Sequence, residues 1–116
     1  MNRRRVVITG LGTVNPLANS VPAYWSALLA GRSGIAPITH FDTKDFSVHF
    51  GGEVKDFDAA ALTGLNAREV KRLDRFAQFA VAAAAEAVRD SGVDFSKEDR
   101  YRCGAIVGCG IGGLSS

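Results

Sequence analysis

A chain of 116 residues that is 47% hydrophobic and 22% charged has the make-up of one ordinary soluble domain and excludes a disordered segment. The net charge of +2 and pI near 8.7 are too mild to draw nucleic acid or an anionic membrane by bulk charge, so a basic surface must come from local clustering. The opening Met1-Asn2-Arg3-Arg4-Arg5 has the charge of a secretory head, but the apolar run behind it is cut at Gly10 and Gly12, far short of a signal core or a membrane span. A cytoplasmic chain is expected.

In chain order, Arg4 to Thr9 reads as a buried strand of an α/β sheet, released by Gly10-Leu11-Gly12. A helix follows, with Ser20 as N-cap, Pro22 in the first turn, Tyr24, Trp25, Leu28 and Leu29 as its apolar face, and Gly31 as its stop. Between Arg32 and Leu65 glycine and proline break the chain into short pieces, and Ile35 to Phe41 with His49 to Val54 suit a hairpin. One long helix is expected over 66–91, opened by the capping pair Asn66 and Glu69 and closed by Gly92. Its stripe of Val70, Leu73, Ala77, Ala80, Val81, Ala84 and Val88 is rich in alanine, which predicts a close neighbour. After a polar connection with a helical turn near Ser96 to Asp99, Cys103 to Val107 reads as a second buried strand. This order of elements is that of a layered α/β fold.

Cys103 and Cys109 lie six positions apart in that strand, roughly 20 Å at about 3.3 Å per residue, so they neither bond nor share a metal. His40 and His49 have no ligand spacing, and no metal is expected. Gly108-Cys109-Gly110-Ile111-Gly112-Gly113 satisfies G-x-G-x-x-G, but a dinucleotide site also needs a helix opening there and an acid about 20 residues on. A freestanding nucleotide-binding module is therefore a rival reading with only part of its pattern present.

The blocks "RRVVITGLGTVNPLAN", "YWSALLAGRSGI", "HFDT", "VKDF", "KRLDRFAQFA" and "GAIVGCGIGG" stand in the order and spacing of the N-terminal part of the β-ketoacyl-[acyl-carrier-protein] synthases, which the chain resembles throughout 3–116. The resemblance implies a thiolase-like fold, layered α/β/α/β/α in complete members, of which residues 1–116 would be the first part of the N-terminal half. It also implies a homodimer, acyl and malonyl thioester substrates carried by acyl carrier protein, a decarboxylating Claisen condensation, and no metal or organic cofactor. The catalytic cysteine and two histidines of such enzymes match none of Cys103, Cys109, His40 or His49, so no catalytic residue is assigned. A polyketide ketosynthase or a chain-length factor lacking the nucleophile is a close variant, and a non-catalytic binder of carrier protein is a further rival.

Two surfaces carry functional expectations. Arg68, Lys71, Arg72 and Arg75 recur at three-and-four spacing, which on one continuous helix puts four cations in one sector facing an acidic partner. The resemblance assigns Arg68, Lys71 and Arg72 to contact with acyl carrier protein. The glycines of 108–113 let backbone wall a narrow cavity, and the resemblance places Ile111 and its neighbour Gly110 at the acyl pocket. Cys109 stands where relatives often carry a small hydroxyl residue and Ala18 where glycine is common.

Overall fold

The computed structural model describes residues 3–113, which mix helices with one small sheet. The chain runs α1 (Val21–Leu29), β1 (Ile35–Pro37), β2 (Phe50–Gly52), α2 (Ala59–Thr63), α3 (Ala67–Val70) and α4 (Arg75–Ser91), then a 3-10 turn at Arg100–Arg102. β1 and β2 form the expected hairpin, antiparallel with Ile35 opposite Gly52 and Pro37 opposite Phe50, each shorter than the pattern suggested. One hydrogen bond continues the ladder, from Ile38 N–H to the His49 carbonyl at 3.0 Å.

Just beyond β2 a single carboxylate reaches across to the segment that follows β1. Glu53 accepts from the Thr39 hydroxyl at 2.8 Å, the Thr39 N–H at 2.9 Å and the His40 N–H at 3.1 Å. The Thr39 hydroxyl is the main reason that the Glu53 carboxyl sits below its ordinary value of 4.5, with the Thr39 and His40 amides adding to it. A depressed carboxyl stabilises the fold above its unfolded value and loses that contribution as pH falls through the folded value. Protection of the Thr39 and His40 amides from exchange, relative to the intrinsic rate at each pH, is therefore expected to fall as the pH drops below about 4.5, and Glu53→Gln should flatten that acid dependence. An acid profile identical in wild type and Glu53→Gln would contradict this.

α4 carries α2 on one half and the N-terminal segment on the other. Its N-terminal half carries α2, with Phe57 and Phe79 meeting edge to face at 4.8 Å. Its C-terminal half carries the segment 10–13 on the face made by Ala83, Glu86, Ala87, Asp90 and Ser91. The expected close approach is there: a Cβ on Gly12 would fall on the Ala83 carbonyl, and one on Gly10 would lie 2.5 Å from the Ser91 nitrogen. Asp90 accepts from the Leu11 N–H and Glu86 from the Thr13 N–H, both at 2.9 Å, so carboxylates take up donors that a sheet would otherwise pair.

The second oxygen of Glu86 accepts from the Val21 N–H, the first residue of α1, at 2.7 Å. Ser20 stands at the expected N-cap position, but its hydroxyl makes no capping bond, and the acceptor comes from α4 instead. Gly31, just beyond the end of α1, adopts φ +64, as its position as a stop requires. The apolar face expected on α1 is open, with Trp25 60% and Leu29 72% exposed, and Ala27 is the residue it buries.

Two sequence expectations are corrected. Residues 4–9 and 103–107 form no strand and do not lie side by side in a sheet, because β1 and β2 pair only with each other. A strand is completed by its neighbours' N–H and C=O groups, and the apolar run alone does not supply them. Val6 is accordingly 94% and Ile106 fully exposed.

The single helix over 66–91 is the second correction: it is two helices broken at 71–74. Both predicted ends are right, with the capping box of Asn66 and Glu69 complete and Gly92 at φ +65. Between them, Arg72 and Leu73 donate to the carbonyls of Glu69 and Val70 in tighter i→i−3 bonds, and Asp74 turns to ψ 155, which ends α3 and restarts the chain as α4. The stripe read across the break is displaced as well: Ala82 is the buried residue of α4, while Val88 is 41% exposed.

Candidate functional site

α3 is four residues long and is held at its start by its own side chains. Asn66 Oδ1 accepts from the Arg68 and Glu69 amides at 3.0 Å each, and Glu69 returns a bond to the Asn66 N–H at 2.9 Å. This box presents Arg68, Lys71 and Arg72 at the surface, all three exposed. They are the three residues that the resemblance leads one to expect at a carrier protein, and they stand together within 68–72.

Arg75 does not join them. The break at 71–74 gives it a different helix axis, and its guanidinium lies over Phe79 at 5.1 Å and Phe57 at 5.8 Å, donating to the Val54 carbonyl at 3.3 Å. Arg75 is exposed like the other three, but its guanidinium is held by these contacts, which tie the loop before α2 to α4. Next to the basic turn lies an open cleft of about 590 Å³, with Phe57, Ala60 and Val70 in its wall and Lys71 at its rim beside Asp56 and Asp58. Asp58 is engaged locally, capping α2 through the Ala61 N–H at 3.0 Å.

The glycine loop lies at the other end of the described chain. Ile111 is 76% exposed, and a Cβ on Gly108 or Gly110 would meet nothing within 4 Å. Gly112, by contrast, is tightly seated: a Cβ there would come within 2.6 Å of both the Phe76 ring and the Cys109 sulfur. The Cys109 Sγ accepts from the Gly112 N–H at 3.2 Å, which curls the loop back on itself. No strand leads into this loop among the described residues, so the context required of a dinucleotide-binding turn is lacking. The basic turn and the glycine loop both touch the start of α4, at residues 71–75 and at Phe76.

His40 and His49 lie on the hairpin, one 3.9 Å from Glu53 and the other 3.2 Å from the Thr43 hydroxyl, remote in role from either surface. Cys103 and Cys109 are free and exposed. Among the described residues no helix is long and apolar enough to cross a membrane.

Sequence reasoning missed Glu86 and the partners of Arg75. A signal for the first was present: Glu86 is the lone charge in the run from Val81 to Val88, and a carboxylate set in such a run invites a partly buried partner.

Comparison with known proteins bears on the whole described chain. Residues 3–116 match the family model for the β-ketoacyl synthase N-terminal domain. The 3-oxoacyl-[acyl-carrier-protein] synthase 2 of Synechocystis sp. is 46% identical over 114 residues and that of Vibrio cholerae 45%, in each case over 98% of this chain and 27% of the relative. The Staphylococcus aureus protein of the same name is 42% identical over 113 residues. Among solved structures, the ishigamide ketosynthase/chain length factor superposes on 81% of this chain and 23% of its own, with a TM-score of 0.72 and 40% identity. The chain thus spans about a quarter of the length of the relatives it matches. With the match running through the basic turn and the glycine loop alike, this chain belongs to the β-ketoacyl synthase family, in the N-terminal domain.

Proposed function

We propose that this sequence forms the N-terminal part of a condensing enzyme that elongates acyl chains by two carbons. The observation that carries the reading is the match in register over 3–116, together with 46% identity to a 3-oxoacyl-[acyl-carrier-protein] synthase 2. In this reaction the acyl group passes from its carrier thioester to an enzyme cysteine, releasing the carrier thiol. Malonyl carrier then loses carbon dioxide, and the electron pair of the broken bond attacks the acyl carbonyl. Collapse expels the cysteine thiolate and leaves the 3-oxoacyl product on the carrier. Arg68, Lys71 and Arg72 dock the acidic acyl carrier protein, Ile111 and Gly110 border the acyl pocket, and the fold is completed as a thiolase-like layered α/β homodimer in the cytoplasm. The grouping and exposure of the three cations support the first of these roles.

The test is to supply the intact protein that carries this sequence with acyl and malonyl thioesters of carrier protein. Carbon dioxide release matched by a product two carbons longer is expected, and its absence in a folded protein would overturn the reading. For the pocket, Ile111→Phe should lower kcat/KM for long acyl chains by about tenfold relative to short ones, since added bulk in an apolar pocket discriminates at that level. An unaltered chain-length profile would remove Ile111 from the pocket.

A second reading draws on the likeness to the ishigamide ketosynthase/chain length factor: the sequence would open one subunit of a polyketide-type pair. Cysteine or glutamine at the nucleophile position of the intact protein decides between a synthase and a chain-length factor.

A further inference from the structure

Resting on that docking reading, we infer that Gln78 is a positioning residue for the carrier-protein surface, although it lies outside the basic turn. α3 has only four residues, far too few to hold a helix by itself. Its start is closed by Asn66 and Glu69, and its end is held by the tight i→i−3 bonds from Arg72 N–H to the Glu69 carbonyl and from Leu73 N–H to the Val70 carbonyl. Gln78, in the first turn of α4, adds side-chain donors from outside that turn. Its side-chain nitrogen lies 3.1 Å from the Val70 carbonyl and 2.9 Å from the Leu73 carbonyl. Both partners are acceptors only, so the side chain must present its amide NH₂ to them.

These two bonds bracket the break between the helices. Lys71 and Arg72 lie between Val70 and Leu73, the two residues whose carbonyls Gln78 grips. Gln78 is itself part-buried and fixed in α4 by its backbone bond to the Asp74 carbonyl at 3.0 Å. The cations are thereby referred to the long helix, and through it to the glycine loop that packs on Phe76. Without Gln78 the charges would still attract an acidic partner at long range, but their directions would be averaged over a loose turn. Long-range attraction and short-range fit are thus carried by different residues.

The experiment replaces Gln78 in the intact enzyme with Leu, which removes both donors, and with Glu, which keeps the shape but turns a carboxylate toward two carbonyls. The second variant serves if the first fails to fold. Amides of Lys71 to Leu73 should exchange about tenfold faster, the scale of two lost hydrogen bonds. KM for protein-borne acyl substrate should rise about fivefold, with kcat unchanged and with unchanged KM for a small thioester that has no protein carrier. Unchanged exchange, faster exchange with unchanged KM, or a fall in kcat with both substrates would each overturn the inference. Arg68→Glu with Arg72→Glu, measured in parallel, judges the docking reading separately. If charge reversal leaves KM unaltered, docking fails and the role of Gln78 in it fails too; if it raises KM while the Gln78 variants do not, only the positioning role is lost.

Discussion

Replacing Gly12 with alanine should destabilise the intact protein by about 3 kcal/mol or more, a large effect for one methyl group. The added Cβ would fall on the Ala83 carbonyl oxygen and come within 2.8 Å of the Ala87 nitrogen, both of them main-chain atoms of α4. Backbone inside a helix cannot step aside as a flexible side chain can, so the segment 10–13 must lift away. Lifting it breaks the 2.9 Å bonds from Leu11 N–H to Asp90 and from Thr13 N–H to Glu86. The part-buried Thr13–Glu86 bond is worth about 1.5–3 kcal/mol because its acceptor is charged, and the exposed Leu11–Asp90 bond is worth less because water screens it. Glu86 also holds the Val21 amide, so the loss reaches the start of α1. Gly51→Ala is the control: a Cβ there would meet only the Ile38 side chain, in ordinary contact at 3.4 Å, and its effect should stay within about 0.5 kcal/mol. Comparable melting temperatures for the two variants would show that the packing of segment 10–13 on α4 does not hold the fold together.

Features set by neighbours in sequence are legible from the residues themselves. The Asn66 and Glu69 box, the αL glycine ending α4 and the hairpin between Ile35 and Val54 each depend on residues close together in the chain, and all are present. Features that need a distant partner are not legible in this way. The run from Arg4 to Thr9 has a strand's composition, yet whether it becomes one depends on which backbone lies alongside, and composition does not encode that. The helix over 66–91 fails for a related reason. Its period continues smoothly through Leu73 and Asp74, and the break follows from i→i−3 bonds and the grip of Gln78.

The same break decides how much of the basic surface can be read from spacing. Spacing at 100° per residue presumes one axis, which α3 and α4 do not share. All four cations are exposed, but Arg68, Lys71 and Arg72 come before or within the break, whereas Arg75 opens α4 and its guanidinium lies over Phe57 and Phe79. Its cation serves packing, because a guanidinium over two rings and a carbonyl replaces water at little electrostatic loss.

Expressed as these 116 residues alone, the chain is expected to self-associate and to melt without a cooperative transition. A folded monomer of 12.3 kDa exposes roughly 6,100 Å² by the usual scaling of surface with mass. This one exposes 9590 Å². Its radius of gyration is 17.4 Å, where about 13 Å is expected for a compact domain of this length. Apolar side chains form part of the excess: Val6, Ile8, Ile106 and Val107 are 71% to fully exposed, and among the described residues only Ala27 and Ala82 are buried hydrophobics. Segments 4–9 and 103–107 combine this apolar surface with backbone groups unpaired in any ladder, the combination that recruits further strands from other chains. In an intact synthase, strands of the same protein would occupy those positions, which makes association a property of the isolated segment. Sedimentation should show species larger than a monomer, and a hydrophobic dye should bind without any denaturant. A monodisperse monomer with a sharp melting transition would mean that these 116 residues bury their own apolar segments in solution, contrary to the open packing of 4–9 and 103–107.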